Sequence, residues 1–158
     1  MTDRGRAEVY AAEAAAFEGT DLEQVRPIEQ ILDLVRMVAS GQWWPGPGVV
    51  AVGMRADASS SCARAVEGHV EIRIARTQAT WATAAHELAH AVAGVSAGHG
   101  PTYRRAMLDV VDVVTNTAIG DRRGRVHTDQ LTDAYRAHDL DVGERAWAAP
   151  TASDPFAL

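Results

Sequence analysis

Apolar residues recur at helical spacing within the first forty positions of the chain. Residues 3–18 place Tyr10, Ala14 and Phe17 on one face of a helix. Residues 27–40 carry a second apolar stripe, which opens on a proline, a favourable first helical residue. Each stripe stops at a glycine, where helices commonly end. The pattern therefore predicts two N-terminal helices within residues 1–41.

Short segments rich in β-branched or alternating residues follow these helices. They lie at 49–55, 60–66 and 69–75, and turn residues separate them. The third segment alternates strictly between apolar and polar residues, as expected for a strand with one buried face. We predict a small antiparallel sheet, built as a meander, over residues 49–75.

Helical periodicity returns after the strands and breaks once, at two glycines that precede Pro101. The pattern predicts zinc-site helices within 79–119 and a C-terminal helical part over 128–147. Helices segregated from a small antiparallel sheet indicate the α+β class. No linker or repeat divides the sequence, so we expect a single domain over residues 1–158.

The composition adds limits on partners and location. Hydrophobic residues make up 47% of the chain and charged residues 23%, as in ordinary globular proteins. The net charge of −6 disfavours a broad electrostatic contact with nucleic acid or an anionic membrane. Cys62 is the only cysteine, so one chain cannot form a disulfide framework or a cysteine-based zinc ribbon. With no signal-like or bilayer-spanning apolar stretch, we expect no membrane insertion and a cytoplasmic location.

The candidate chemistry lies in the sequence HELAH, residues 86–90. Residues four apart lie on one face of a helix, so His86 and His90 can direct two imidazole nitrogens at one ion. Zinc suits such ligands, with bonds near 2.1 Å. Glu87 lies beside the first ligand, where it can take a proton from a water that attacks a carbonyl. This is the arrangement of the H-E-x-x-H zinc hydrolases.

A catalytic zinc usually has three protein ligands, so a third is needed. The metzincin pattern would place Gly and His three and six residues after His90, but Ala93 and Ser96 stand there. A thermolysin-like site needs a glutamate on a later helix, and the only glutamate after Glu87 is Glu144, in the C-terminal segment. The sequence therefore excludes the first pattern and makes the second unattractive.

His99 is the favoured third ligand. Flanking Gly98 and Gly100 allow a tight turn there, and the following proline opens the next helix away from the site. Asp109 and Asp112 remain open as alternative ligands, or as groups that orient a ligating histidine.

HELAH followed by HGPTY resembles the SprT-like zincins, whose pattern is H-E-x-x-H, a short segment, then H-G-x-x-aromatic at the start of a helix. The matching residues are His86, Glu87, His90, His99, Gly100 and Tyr103. The chain is more similar still to a family of small metallohydrolases of actinobacteria and their phages. That likeness adds the YAAE sequence at 10–13, the two tryptophans at 43–44 and HGPTY at 99–103, and it covers nearly the whole chain.

The resemblance implies a zincin-like fold in which a small antiparallel sheet packs with the zinc helix, and it implies hydrolysis of peptide bonds. A peptide or protein substrate would then pair with an edge strand at 69–75, directly before the zinc helix. This chain lacks the cysteine-rich ribbon and the basic surface of the larger SprT-like proteases, so DNA-linked recognition is not expected. Tyr103, at the aromatic position, is expected to anchor the core.

The sequence thus predicts a zinc-dependent hydrolase, in particular a metallopeptidase. His86, His90 and His99 would bind Zn²⁺, and Glu87 would be the general base. One alternative is a zinc-binding regulatory or interaction protein of the same fold, without turnover. The other is a metal-free helical interaction module.

Overall fold

The computed structural model describes residue 3, residues 5–120 and residues 124–150. These residues form an α+β fold with five α-helices, a three-stranded sheet and two short 3-10 turns. The elements are α1 (Arg6–Phe17), α2 (Ile28–Ala39), β1 (Val49–Gly53), β2 (Cys62–Val66), β3 (His69–Ile74), α3 (Trp81–Ala93), α4 (Pro101–Ile119) and α5 (Gly124–Ala137). The predicted class and the predicted order of helices and strands are confirmed. The C-terminal helical part is shorter than predicted, because residues 138–150 are not helical.

The sheet is mixed, with the strand order β1-β3-β2. Strand β3 pairs antiparallel with β2 and parallel with β1. The predicted antiparallel meander is therefore wrong for β1. Alternation of apolar residues shows which side chains face the core, but it does not show which strands are neighbours. Here the connection at 54–61 carries the chain past the place that β3 later fills.

Strand β3 is consequently the central strand and not an edge strand, which corrects the prediction for residues 69–75. Glu71 shows this directly, because it is opposite Val50 of β1 on one side and opposite Arg64 of β2 on the other. A peptide cannot add to a strand whose two edges are already paired. The edges of the sheet belong to β1 and β2.

The core lies between the sheet and the helices. Ile72 and Ile74 of β3 are fully buried, α2 packs on β1, and α3 packs on α4. Helix α1 packs against α5 and turns Glu13 inward, where the carboxylate is buried. No helix among the described residues is long and apolar enough to cross a membrane.

Candidate metal centre

Helix α3 presents both histidines of HELAH on one side. Thr80 caps the N-terminus of the helix, and its hydroxyl accepts a hydrogen bond from the backbone N–H of Thr83. His86 and His90 are then one turn apart, and their Nε2 atoms lie 3.2 Å from each other. His86 is buried and His90 is half-buried.

The loop between α3 and α4 brings in the third histidine. Gly98 has a φ of 68°, a conformation that L side chains rarely adopt, and a Cβ there would lie 3.1 Å from Oδ1 of Asp3. His99 follows directly, with its Nε2 3.2 Å from Nε2 of His90 and 3.3 Å from Nε2 of His86. The structure therefore brings together the three histidines that the sequence singled out. Among the described residues they form a group able to hold a metal ion.

The separations of the three Nε2 atoms fit a tetrahedral ion. Ligand bonds of 2.0–2.1 Å to a tetrahedral centre place neighbouring ligand atoms about 3.3 Å apart. The hydrogen bonds made by the Nδ1 atoms of the rings also favour a cation at this position. Nδ1 of His86 faces a carboxylate oxygen of Glu13, and Nδ1 of His99 faces one of Asp3, so both Nδ1 atoms carry the proton in the neutral rings. Two Nε2 lone pairs then face each other at 3.3 Å, an arrangement that a cation between them relieves.

Glu13 supports His86 from the first helix. Its Oε2 accepts from Nδ1 of His86 at 2.9 Å, and its Oε1 accepts from the hydroxyl of Tyr103 at 2.7 Å. The Tyr135 hydroxyl of α5 donates to the same Oε1 at 3.2 Å. Burial and the charge of Glu13 raise the pKa of Tyr103 well above its usual range, so this hydroxyl remains a donor. Tyr103 is fully buried, as expected of a core anchor, and it also fixes a group that holds a metal-site histidine.

Asp3 supports His99 in the same manner. One carboxylate oxygen accepts from the backbone N–H of His99 at 3.2 Å, and the other accepts from Nδ1 of its ring. Burial would raise the pKa of Asp3, but the hydrogen bonds from His99 outweigh this and lower it. Two of the three histidines thus have a carboxylate behind them, the arrangement that orients metal ligands and raises their basicity. Nδ1 of His90 is buried and has no hydrogen-bond partner among the described residues.

The pKa values of His86 and His90 are shifted in opposite directions. Burial and the neighbouring charges of His86 and His99 lower the pKa of His90 to about 3, so this ring is neutral and its lone pair is free. Burial alone would lower the pKa of His86, but the hydrogen bond and charge of Glu13 outweigh it and raise the pKa. His86 therefore binds a proton more tightly than an ordinary histidine does, and a metal ion must displace that proton in order to bind.

Glu87 lies outside the three-histidine group but next to it. Its side chain is buried, and burial raises its pKa to about 7. Together with His86 it lines a cleft of about 580 Å³. Arg6 and Tyr10 of α1 form one wall of this cleft, and the start of β2 at Cys62 forms part of another.

The two open alternatives for the third ligand lie elsewhere. Both carboxylate oxygens of Asp109 accept from Arg145, at 2.7 and 2.8 Å, and one also accepts from Nε1 of Trp147. Asp112 accepts from the Asn116 side chain. Neither aspartate belongs to the metal-binding group. Asp109 instead fastens the C-terminal segment to α4.

Asp3 and Glu13 are the residues that sequence reasoning missed as supports of the centre. They lie 96 and 73 positions from the histidines that they hold, so no local spacing connects them. Glu13 closes the YAAE sequence, and Tyr10, which opens it, stacks on the His86 ring with 5.2 Å between ring centroids. Two residues of YAAE, Tyr10 and Glu13, therefore contact His86. No pattern in the sequence indicates that they do.

Comparison with known proteins assigns no family to this chain. No protein-family model, no curated protein and no solved structure matches it.

Proposed function

We propose that this protein is a zinc-dependent hydrolase, and in particular a metallopeptidase with a zincin-like fold of the SprT-like kind. The observation that carries the proposal is the convergence of three Nε2 atoms within 3.3 Å of one another, beside the buried carboxyl of Glu87 at the edge of a cleft. A metal-free interaction module would have no use for two facing lone pairs in its interior.

Zinc is the ion that this donor set fits best. Three neutral imidazoles are borderline ligands that suit zinc well and suit magnesium and calcium poorly. Three protein ligands also leave a fourth position open, as in catalytic rather than structural zinc sites. When bound, zinc polarises a substrate carbonyl and lowers the pKa of water.

Glu87 is suited to moving the proton. It follows His86 directly in sequence, and its carboxyl borders the cleft that a substrate would enter. A general base works best with a pKa near the operating pH, and burial brings that of Glu87 to about 7. We assign it the proton of the attacking water, which it then delivers to the nitrogen of the leaving amine.

The free edge of β2 is the place where we expect an extended peptide to pair. We no longer expect the peptide to pair with β3, because both edges of β3 are already paired with other strands. Ser60 and Ser61 lead into β2, which begins at Cys62, and all three residues line the same cleft as Glu87, so the edge begins at the cleft that the proposed base borders. The strand is mostly exposed, and backbone hydrogen bonds to it would fix the substrate in an extended form.

Zinc binding without turnover is the second candidate. It is favoured by the way in which the centre joins separate parts of the chain. Through Asp3 and Glu13, an ion held by the histidines would also fasten the N-terminal segment and α1 to α3. A regulatory protein could use zinc in this way to create a binding surface.

Metal analysis combined with a cleavage screen separates these functions. The purified protein is analysed for bound metals, reconstituted with zinc, and incubated with a mixed peptide library whose products are read by mass spectrometry. We expect one zinc per chain, and cleavage that is lost in Glu87→Gln. Zinc without cleavage would support the regulatory protein, and absence of metal binding would refute both candidates.

A further inference from the structure

One wall of the cleft carries a positive charge on a helical stripe. Arg6, Tyr10 and Ala14 are spaced four apart on α1, and all three line the cleft together with His86 and Glu87. We propose that Arg6 is a specificity residue that binds a carboxylate of the substrate, so that the site selects acidic peptides. The inference rests on the proposed function, whose substrate class it narrows.

Arg6 is connected to the metal centre by a stack of rings. Its guanidinium carbon lies 5.5 Å from the centroid of the Tyr10 ring. The Tyr10 ring in turn lies nearly parallel to that of His86, with an interplanar angle of 13° and 5.2 Å between centroids. Because neither step exceeds 5.5 Å, the guanidinium lies within about 11 Å of the His86 ring. An extended peptide covers that distance in about three residues.

The charge of Arg6 is available to a ligand. The side chain is exposed at the cleft, and among the described residues it forms no ion pair. Glu8, two positions further along α1, does not face Arg6, because residues i and i+2 of a helix point in different directions. The carboxylates of Asp3 and Glu13 are already engaged. Asp3 uses both oxygens on His99, and Glu13 uses both on His86 and two tyrosines.

Glu23 is another acidic residue that lines the cleft, from the short turn Asp21–Glu23 that follows α1. Among the described residues it forms no ion pair with Arg6, so the guanidinium is not neutralised from this side of the cleft.

A guanidinium is well suited to this role. It offers a planar pair of donors that matches a carboxylate, and stacking against an aromatic ring restricts its orientation before the ligand arrives. A neutral substrate would gain nothing from these donors. An acidic one would place a carboxylate within about three residues of the scissile bond, either on a side chain or at the C-terminus of the peptide.

Hydroxamate probes test the recognition without requiring turnover. The first set are tripeptide hydroxamates with one Glu at each position in turn, each matched by its Gln analogue. The second set are succinyl hydroxamates whose peptide part ends in a free carboxylate or in an amide. Dissociation constants are measured on zinc-loaded parent protein, Arg6→Gln, Arg6→Lys and the control Arg136→Gln, which alters an exposed arginine of α5 outside the cleft.

We expect the parent and Arg136→Gln to bind one acidic probe about 10-fold more tightly than its neutral analogue. Arg6→Gln should abolish this preference while zinc content and melting temperature stay unchanged, and Arg6→Lys should keep part of it. The set in which the preference occurs distinguishes a side-chain carboxylate from a terminal one.

The outcomes separate this inference from the proposed function. Equal affinities in a protein that binds zinc and cleaves peptides would overturn the inference alone. A preference that survives in Arg6→Gln would overturn it as well. An Arg6-dependent preference in a protein that cleaves no peptide would support carboxylate binding and refute the peptidase. A protein that binds no zinc would overturn both.

Discussion

Glu13 of α1 holds His86 of α3 across 73 positions of sequence, through a hydrogen bond of 2.9 Å between Oε2 and Nδ1. The bond fixes the tautomer that leaves Nε2 of His86 free to bind a metal ion. It also ties the first helix of the chain to the helix that carries HELAH. The candidate metal centre is thus assembled from three separate stretches of chain, and its affinity for a metal ion should respond to residues outside the three histidines.

Replacing Glu13 by Gln should weaken zinc binding without removing a ligand. The amide keeps the shape of the side chain but loses the charge that makes His86 basic, so we expect a 10- to 100-fold loss of zinc affinity. Competition with a chromophoric chelator measures it. Glu8→Gln, an exposed change on the same helix, is the control and should leave the affinity unchanged. Equal affinity in both variants would show that Glu13 serves packing alone.

His99→Ala removes one of three proposed ligands, and two imidazoles on one helix hold zinc weakly. We expect zinc affinity to fall steeply and the stabilisation by added zinc to shrink with it. Calorimetry with and without zinc follows both effects.

Asp109→Asn provides the contrast. It should keep zinc affinity but lower the melting temperature of the metal-free protein, because Asp109 is a buried partner of Arg145 and Trp147. Loss of zinc in Asp109→Asn, with retention in His99→Ala, would refute the three-histidine site.

The sequence predicted the convergence of the three histidines because local rules determine it. A four-residue spacing on a helix sets His86 and His90, and a glycine turn before a proline brings His99 back toward them. The carboxylates behind the rings depend on the packing of α1 against the rest of the fold. No spacing in the sequence encodes that packing.

In the sheet, too, the local sequence predicts which side chains are buried but does not predict which strands pair. The burial of Val70, Ile72 and Ile74 follows from their alternation and is confirmed. The pairing partners of that strand depend on the route of the connection at 54–61, which alternation does not report. For this reason the strand was predicted at an edge and lies at the centre.

Glu87→Gln tests whether Glu87 is a general base or a metal ligand. As a base, Glu87 contributes to proton transfer and not to ion binding, so the variant should retain zinc and lose about 100-fold or more in turnover. Zinc content and the rate of peptide hydrolysis are measured on the same preparation. If the variant is instead purified without zinc and cannot be reconstituted, Glu87 is a ligand and the proposed mechanism fails.

The pH dependence of stability gives a further test on Glu87, in the protein stripped of metal. Burial raises the pKa of this carboxyl from an ordinary value of 4.5 to about 7. The folded state therefore binds its proton more tightly than the unfolded chain. This contribution to stability is complete below pH 4.5 and is lost as the pH rises through 7. The difference between the two pKa values corresponds to roughly 3 kcal/mol.

Gln at position 87 stays neutral and avoids this loss. Metal-free Glu87→Gln should therefore match the metal-free parent near pH 4 and be more stable above pH 7, by up to roughly 3 kcal/mol in denaturant unfolding. Zinc should remove the advantage, because a cation beside Glu87 favours its ionised form. A constant difference between the two proteins from pH 4 to pH 8 would show that Glu87 is ionised without metal. The carboxyl would then lack the near-neutral pKa that suits it to the role of base.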